Sequence, residues 1–257
     1  MTDSTYLDEL FIQESKAALN YHNKSSGDTY KDDIIGLIEG TTTEITIPEG
    51  CTKIRDYACY LYTDIALSSL PNSVTSIGAY AFYQCTNLDL TSLSSGIISI
   101  SECAFSGCTN LALTSLPDGI TEIANGAFSG CTNLALTSLP DGITKIANSA
   151  FTGCTNLALT SLPNSVTSIG AYAFSVCTNL APTSLPNSVT SIGAYAFSVC
   201  TNLTTITFNS KPTFIADSAF HNCTNLTTIN VPWAEGEVAN APWGATNATI
   251  NYNYTGG

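Results

Sequence analysis

Residues 157–179 read Leu-Ala-Leu-Thr-Ser-Leu-Pro-Asn-Ser-Val-Thr-Ser-Ile-Gly-Ala-Tyr-Ala-Phe-Ser-Val-Cys-Thr-Asn, and residues 180–202 repeat this string with Pro182 in place of Leu159. Counted from Thr42, eight units of this length end at Asn225, and a partial ninth follows. A repeat of about 23 residues predicts a solenoid of stacked coils, because a single unit cannot bury its own apolar residues but stacked neighbours can.

Three kinds of residue return at the same place in nearly every unit and form the predicted core. They are an isoleucine, a phenylalanine that follows an alanine, and a cysteine, and each recurs once per unit at a constant interval. The isoleucines are Ile54, Ile77, Ile100, Ile123, Ile146, Ile169, Ile192 and Ile215; the phenylalanines are Phe82, Phe105, Phe128, Phe151, Phe174, Phe197 and Phe220; the cysteines are Cys85, Cys108, Cys131, Cys154, Cys177, Cys200 and Cys223. In-register stacking predicts that like side chains lie on one another along one axis.

Within one unit, residues 157–162 are predicted as the strand, because they are short, apolar and stopped by Pro163. Residues 166–169 read as a second short extended piece, and the apolar residues of 173–177 have the spacing of one inward helical turn. The period lies within the window of leucine-rich repeats. The predicted fold is an α/β solenoid, a right-handed leucine-rich repeat array of about eight to nine coils, with one parallel sheet and short helical or irregular return segments.

Two end segments flank the array and are predicted to cap it, because the first and last coils would otherwise expose apolar surface. Residues 1–41 comprise an amphipathic helix at 4–21, a polar linker, and a docking segment from Ile34 to Gly40. Residues 42–232 are the predicted solenoid. Residues 233–257 contain two tryptophans and an alternating stretch, and they are the predicted C-terminal cap.

The string Leu-Pro-Asn-Ser-Val-Thr-Ser-Ile-Gly-Ala-Tyr-Ala-Phe-x-x-Cys-Thr-Asn-Leu, at 162–180 and 185–203, resembles the BspA-like leucine-rich repeat family, and the resemblance covers 42–232. It implies a bacterial or protozoal surface or secreted protein that adheres to matrix proteins or host cells. Similar arrays also look like modules of prophage tails and other virion appendages. The resemblance carries over no catalytic residue. The first unit departs from the pattern, with Cys59 and Tyr62 where phenylalanine and cysteine are expected.

Charge argues against two classes of partner. Seven Lys or Arg residues against twenty Asp or Glu residues give a net charge of −13. The chain therefore offers no cluster of cations for nucleic acid phosphates or anionic lipid. No run approaches the roughly 18 apolar residues of a membrane-spanning helix, and residues 1–10 do not read as a secretory signal. A cell-surface or extracellular location follows from the resemblance alone, and a virion component is the alternative.

Ten cysteines raise the question of disulfides and metal sites. Side chains stacked at the coil period have parallel Cα–Cβ bonds about 5 Å apart, whereas a disulfide needs converging bonds about 3.5–4.5 Å apart at Cβ. The close pairs, Cys103/Cys108 and Cys51/Cys59, do not fit the spacing of zinc ligands. The repeat cysteines are predicted to be reduced, buried thiols that hold no metal. Cys103 stands where other units have Tyr, Gly or Ser, which predicts an exposed thiol.

No arrangement of residues indicates catalysis. His22 and His221 are the two histidines, the acidic residues are scattered, and no phosphate-binding loop is present. The chain is predicted to be non-enzymatic and to need no cofactor.

An asparagine precedes the first leucine of most units. Its predicted role is structural, with side-chain amides bonding to turn backbone and to one another along the stack, and a glycan-binding ladder is the alternative. The residues are Asn87, Asn110, Asn133, Asn156, Asn179, Asn202 and Asn225.

The predicted strand contains an irregularity that bears on binding. The last units have apolar residues three and five positions after the first leucine, whereas the central units have them at two and five. Positions of opposite parity cannot share one face of a strand without a bulge. Either the residues at the second position form an apolar stripe on the outer sheet face, or the strand bulges and buries them. The candidate stripe is Leu90, Leu113, Leu136, Leu159 and Pro182.

A second candidate surface is the set Tyr57, Tyr80, Tyr172 and Tyr195, although packing against a neighbouring turn explains these tyrosines equally well. The leading functional hypothesis is a non-enzymatic module that binds a protein or glycan, in adhesion or recognition at a bacterial surface. The alternative is a structural or receptor-binding appendage, such as part of a phage tail, attached through residues 1–40.

Overall fold

A short strand that ends at the repeat isoleucine recurs from coil to coil in this computed structural model, which describes residues 33–34, 47 and 50–256. In the strands Ser76–Ile77, Ser99–Ile100, Glu122–Ile123 and Lys145–Ile146 the first residue lies at the surface, at least in part, and the isoleucine is buried in the core. The strands are β1 (Asp33–Ile34), β2 (Lys53–Ile54), β3 (Ser76–Ile77), β4 (Ser99–Ile100), β5 (Glu122–Ile123), β6 (Lys145–Ile146), β7 (Ser168–Ile169), β8 (Ser184–Leu185), β9 (Ser191–Ile192), β10 (Thr205–Phe208), β11 (Phe214–Ile215), β12 (Thr228–Asn230) and β13 (Thr249–Asn251).

The strands form three parallel sheets. Two of them, in the orders β1-β2-β3-β4 and β11-β9-β7-β6-β5, follow the isoleucine column, and the third, β13-β12-β10-β8, lies on the leucine segment of the last coils. From β2 onward, partners within the isoleucine column occupy the same position in successive units, as in Lys53 with Ser76 and Ser168 with Ser191. The chain is therefore a parallel β-solenoid with in-register coils, as its period predicts.

The position of the strand differs from the prediction. In the central coils the regular pairing lies at the end of the segment predicted as a second extended piece, for example at β7, and the described residues of 157–162 form no strand. In that segment Leu157, Leu159 and Leu162 are all buried, which is incompatible with the alternation of a strand. Where the sequence changes to an alternating pattern, β10 appears with every second residue buried.

Of the two alternatives for the second position of the leucine segment, an outer stripe or burial, the structure shows burial, so the candidate stripe is not exposed. Each of its four leucines has an exposed fraction of 0%, and Pro182 is buried as well. Because the backbone of the segment is irregular, residues at both odd and even positions face inward. The candidate residues therefore belong to the core and do not form a surface. The residues concerned are Leu90, Leu113, Leu136, Leu159 and Pro182.

The return segments are irregular rather than helical. Among the described residues they consist of consecutive turns, in which the Cys177 amide donates to the carbonyl oxygen of Phe174 (3.1 Å). The amide of Phe174 in turn donates to the carbonyl oxygen of Ala196 in the next coil (2.8 Å). The predicted helix at 4–21 lies outside the described residues. None of the described segments is a helix of the length and apolarity needed to cross a membrane.

A column of phenylalanine rings fills the centre of the stack. The rings of Phe82 to Phe220 are fully buried, and neighbouring centroids lie 5.3–5.6 Å apart with nearly parallel planes. Each ring within the column therefore contacts the equivalent ring above and below it. Offset stacking of this kind adds to the free energy gained by burial.

The C-terminal end of the column is covered by tryptophan. Trp243 is fully buried, and its carbonyl oxygen accepts the amide of Phe220 (2.9 Å), the bond that other core phenylalanines make to an alanine in the next coil. Trp233 and Phe208 pack against Trp243 at centroid distances of 6.4 and 5.9 Å. β13 pairs with β12 and continues the sheet to Asn251. Residues 233–251 thus cover the last phenylalanine. The proposed boundaries 1–41, 42–232 and 233–257 stay predictions.

Candidate functional site

Most of the described coils contain two residues with a left-handed backbone, one just after the isoleucine strand and one four residues later. Glycine adopts this conformation readily, and Gly107, Gly130 and Gly153 occupy the second position in the central coils with φ of 74–76°. Other coils place side chains there. The first position holds Tyr57, Tyr80, Cys103, Gly126, Ser149, Tyr172 and Tyr195, and the second holds Leu61, Gln84, Gly107, Gly130, Gly153, Val176, Val199 and Asn222.

Two pairs of adjacent coils carry large side chains at both positions, and we call those of the second pair, Tyr172, Val176, Tyr195 and Val199, the tyrosine–valine patch. Their φ values are 57–62°, and a β-branched residue such as valine rarely takes this conformation. The conformation costs about 1 kcal/mol or more per residue. Tyr172 and Val176 remain 45% and 38% exposed, so burial does not offset this cost. The Tyr172 ring stacks on that of Tyr195, with a centroid distance of 5.0 Å and an interplanar angle of 11°. Val176 is both strained and exposed, which indicates selection for a surface property.

Four tyrosines of the first coils form a second aromatic surface, the tyrosine cluster. Tyr57 stacks on Tyr80 with a centroid distance of 5.2 Å and an interplanar angle of 1°, and Tyr60 stacks on Tyr83 at 5.1 Å and 12°. The two stacks meet edge to face, with Tyr57 and Tyr60 5.6 Å apart. Tyr57 is 41% exposed and the other three are partly exposed. Each stack covers one face of each of its two rings, and the rest of the four rings is at least partly exposed.

A long stretch of the chain carries no charged residue. Between Lys145 and Lys211, residues 146–210 contain no Asp, Glu, Lys, Arg or His, although 11% of the whole chain is charged. This stretch spans nearly three coils, so it forms a charge-free belt around the solenoid. The tyrosine–valine patch lies in this belt. His221, on the next coil, lies beside the patch, with its ring 5.6 Å from that of Tyr195. Depletion of charge is typical of the centre of an interface.

The asparagine column lies on the surface, and its main contribution comes from the backbone. The amide of Asn110, for example, donates to the carbonyl oxygen of Thr86 in the preceding coil (3.2 Å). Among the seven asparagines, the structure shows a side-chain hydrogen bond for Asn225, from Nδ2 to the carbonyl oxygen of Thr201 (2.8 Å). Instead, the neighbouring threonine hydroxyls donate to the backbone carbonyl oxygen of the equivalent threonine in the preceding coil, as from Thr109 Oγ1 to Thr86 (3.2 Å). The asparagine ladder therefore stays a prediction, and sequence reasoning missed the threonines.

The repeat cysteines are free thiols that link one coil to the next. The Cys108 thiol donates to the carbonyl oxygen of Phe82 (S···O 2.9 Å), and the thiols of Cys85, Cys131, Cys154, Cys177, Cys200 and Cys223 make the equivalent bond at 2.9–3.2 Å. Burial raises the pKa of these thiols, to about 12 for Cys177 and about 11 for Cys223. The residues that the structure describes include no group of three potential metal ligands.

Cys103 differs from the other cysteines because it is half-buried and has a left-handed backbone. A side-chain hydrogen bond between Cys103 and Tyr80 raises the pKa of Tyr80 to about 12. Burial raises the pKa of Cys103 itself. The Cys103 thiol, which the sequence predicts to be exposed, is therefore only partly exposed.

Thiol titration distinguishes Cys103 from the ladder. We expect one of the ten cysteines to react with a thiol reagent in the native protein, and the remainder to react after unfolding in urea. Cys103→Ser, which copies Ser149 at the same position, should remove the fast reaction and leave the fold intact. Fast reaction of several thiols in the native protein, or of the C103S variant, would contradict this assignment.

Two shallow grooves lie on the described surface. One, of about 530 Å³, lies beside β2–β4 and is lined by Lys53, Arg55 and Asp56 together with serines. The other, of about 310 Å³, crosses the Leu-Pro turns at Leu139, Leu162 and Leu185. His221 is exposed and contacts Tyr195, and His22 lies outside the described residues. The described residues therefore offer extended surfaces for contact and no nucleophile paired with a base.

Similarity to known leucine-rich repeat proteins agrees with this geometry. A family model described as a BspA type leucine rich repeat region, with six copies, matches residues 39–158 and 121–240. A leucine-rich repeat protein of T. pallidum is 34% identical, with 63% of this chain and 77% of that chain covered and a TM-score of 0.51. One from Bacteroides ovatus is 20% identical with a TM-score of 0.50, and covers 78% of this chain. This chain spans 64% of the Bacteroides ovatus chain.

No curated protein matches the sequence. The family model spans most of the chain, and its repeats coincide with coils whose strands pair once in every unit. The chain therefore belongs to the BspA-type leucine-rich repeat family.

Proposed function

We propose that this protein is a non-enzymatic recognition module that binds a protein partner through the tyrosine cluster. The observation that carries the proposal is the pair of ring stacks, Tyr57 on Tyr80 and Tyr60 on Tyr83, at the surface of the first coils. Tyrosine offers a large contact area for a small loss of side-chain entropy and is enriched at the centres of interfaces. Arg55 and Asp56 directly precede the cluster in the sequence and supply charged groups beside it.

The ring geometry favours a protein over a glycan. Sugars stack on the faces of aromatic rings, and here each tyrosine already uses one face for a neighbouring ring, at interplanar angles of 1° and 12°. The partly exposed rings suit the apolar and polar groups of a polypeptide, because a phenol joins an apolar ring to a group that donates and accepts hydrogen bonds. The same stacking holds the four rings in place before binding. A partner therefore meets a surface that is already ordered, which reduces the entropy lost on association.

Labelled protein applied to a protein microarray and a glycan microarray tests the proposal. We expect saturable binding to at least one protein, and a loss of at least about tenfold in affinity for Tyr60→Ser/Tyr83→Ser, because truncation of central tyrosines removes about 1.4 kcal/mol or more. Serine occupies the equivalent position at Ser106 and Ser129, so the variant should keep the fold.

Thr137→Ala/Ser138→Ala is the matched control, since both residues are exposed on the distant leucine segment. Its affinity should equal that of the unmodified chain. Binding to glycans in place of proteins, or equal affinity for the tyrosine variant and the control, would reject the proposal. Adhesion at a bacterial surface and attachment of the array to a larger particle through residues 1–40 stay predictions.

A further inference from the structure

We infer that the tyrosine–valine patch is the contact surface of a symmetric dimer, in which the charge-free belts of two copies of this chain face each other. The inference is independent of the tyrosine cluster and of its partner. It starts from the left-handed backbones of Tyr172, Val176, Tyr195 and Val199 and from the absence of charge in residues 146–210.

Strain at the patch is only partly compensated within one copy, where the Tyr172 and Tyr195 rings stack with a centroid distance of 5.0 Å and an interplanar angle of 11°. Val176 occupies a position that glycine fills in the three preceding coils, and its side chain remains 38% exposed. Tyr172 is 45% exposed at a position where Gly126 serves another coil. Contact with a second surface would remove these apolar groups from water, which is favourable in proportion to the area buried. A partner therefore supplies the stabilisation that the isolated coil lacks.

Charge identifies a second copy as the occupant. The chain carries a net charge of −13, so two copies repel each other over most approaches. The belt contributes nothing to this repulsion, because residues 146–210 contain no ionisable acid or base of the Asp, Glu, Lys, Arg or His type. A strongly charged partner would find no countercharge in the belt. A copy of the belt, by contrast, matches it in being neutral and rich in hydroxyl groups.

The internal repeat makes the surface self-complementary. Residues 157–179 and 180–202 differ at one position, so the two coils of the patch present nearly the same side chains. A two-fold axis passing between these coils places Tyr172 of one copy opposite Tyr195 of the other, and Val176 opposite Val199. This is the isologous arrangement of most homodimers.

Sedimentation velocity over a wide range of protein concentration tests the inference. We expect the unmodified chain to change from monomer to dimer as concentration rises. Val176→Glu/Val199→Glu should raise the dissociation constant at least about tenfold, because it sets like charges opposite each other. Glutamate is not β-branched, so the left-handed positions should accept it at no greater strain than valine. Added salt should leave association unchanged or strengthen it, since no ion pair lies in the belt.

Two further variants separate the contact from general effects. Ser115→Glu/Ser138→Glu adds the same charge to exposed positions outside the belt and should dimerise nearly as well as the unmodified chain. Val176→Gly/Val199→Gly should dimerise at least about tenfold more weakly while resisting urea as well as the unmodified chain or better, because it relieves backbone strain. A monomer at every concentration would overturn the inference. So would equal dissociation constants for the two glutamate variants, or dissociation by salt.

Discussion

Raising the pH from about 8 to about 10 should sharply lower the free energy of unfolding of this protein, because eight buried thiols resist ionisation. Burial raises the pKa of each from an ordinary value of 9.0, to about 12 for Cys59 and Cys177 and about 11 for Cys223. The pKa values of the other five are raised in the same direction. The eight are Cys59, Cys85, Cys108, Cys131, Cys154, Cys177, Cys200 and Cys223.

The sign follows from the protons that each state binds. Well below pH 9.0 the thiols are protonated in both states, and they contribute no dependence on pH. Above it, unfolded thiols release protons while folded thiols retain them, so the free energy of unfolding falls as pH rises. Each thiol contributes up to about 1.4 kcal/mol per pH unit. Eight together contribute on the order of 10 kcal/mol within one unit, comparable to the whole stability of a typical domain.

Urea midpoints measured from pH 7 to pH 10 in the presence of a reductant would show this loss. Cys154→Ala/Cys177→Ala removes two of the thiols and should make the fall shallower by about 2.8 kcal/mol per pH unit, whatever its stability at pH 7. Midpoints that stay constant up to pH 10, or equal slopes for the variant and the unmodified chain, would contradict the role of the thiols.

Phe151→Ala should lower the free energy of unfolding by about 3–5 kcal/mol, the range for removal of a buried aromatic ring. Phe151 is fully buried between Phe128 and Phe174, at centroid distances of 5.6 and 5.5 Å. Its loss leaves a cavity in the middle of the column and removes two ring contacts. Because each coil contacts its neighbours alone, the defect also weakens the coupling between the two halves of the array.

Urea unfolding followed by the fluorescence of Trp233 and Trp243, together with circular dichroism of the whole chain, measures both effects. The two signals should separate in the variant, since the tryptophans report on the C-terminal coils. Ile98→Thr is the control, because Ile98 is 62% exposed and threonine occupies the equivalent position at Thr75 and Thr121. A loss below about 1 kcal/mol in Phe151→Ala would show that the ring column does not carry the stability assigned to it.

The strict period made the core columns of the array predictable from sequence. Phe151 and Cys154 recur without exception through the central units, and like residues in register must stack. The strand was misplaced because residues 157–162 are richer in apolar residues than Ser168–Ile169, which form the actual strand. Leu159 and Leu162 are three residues apart, so in a regular strand they would face opposite sides. The spacing alone does not say whether the segment bulges to bury both leucines or exposes one of them.

Two features of the candidate surfaces were unequally accessible to sequence reasoning. The charge-free run between Lys145 and Lys211 can be read directly from the residues, and it is the signal that was missed. The left-handed conformation of Val176 could not be read from valine itself, which disfavours it. A glycine at the same position in three units, such as Gly153, was the available hint. The bond from the Cys108 thiol to Phe82 depends on an offset of 26 residues between coils, which the period alone does not provide.

The near identity of residues 157–179 and 180–202 bears on how the gene can change. Each coil is linked to its neighbours by the same hydrogen bonds at an interval of 23 residues. The Thr167 hydroxyl, for example, donates to the carbonyl oxygen of Thr144, and the Thr190 hydroxyl donates to that of Thr167. Recombination between the duplicated segments can therefore add or delete one whole turn while both ends still find their usual neighbours. Each added or deleted unit changes the length of the solenoid by one strand spacing, about 4.8 Å.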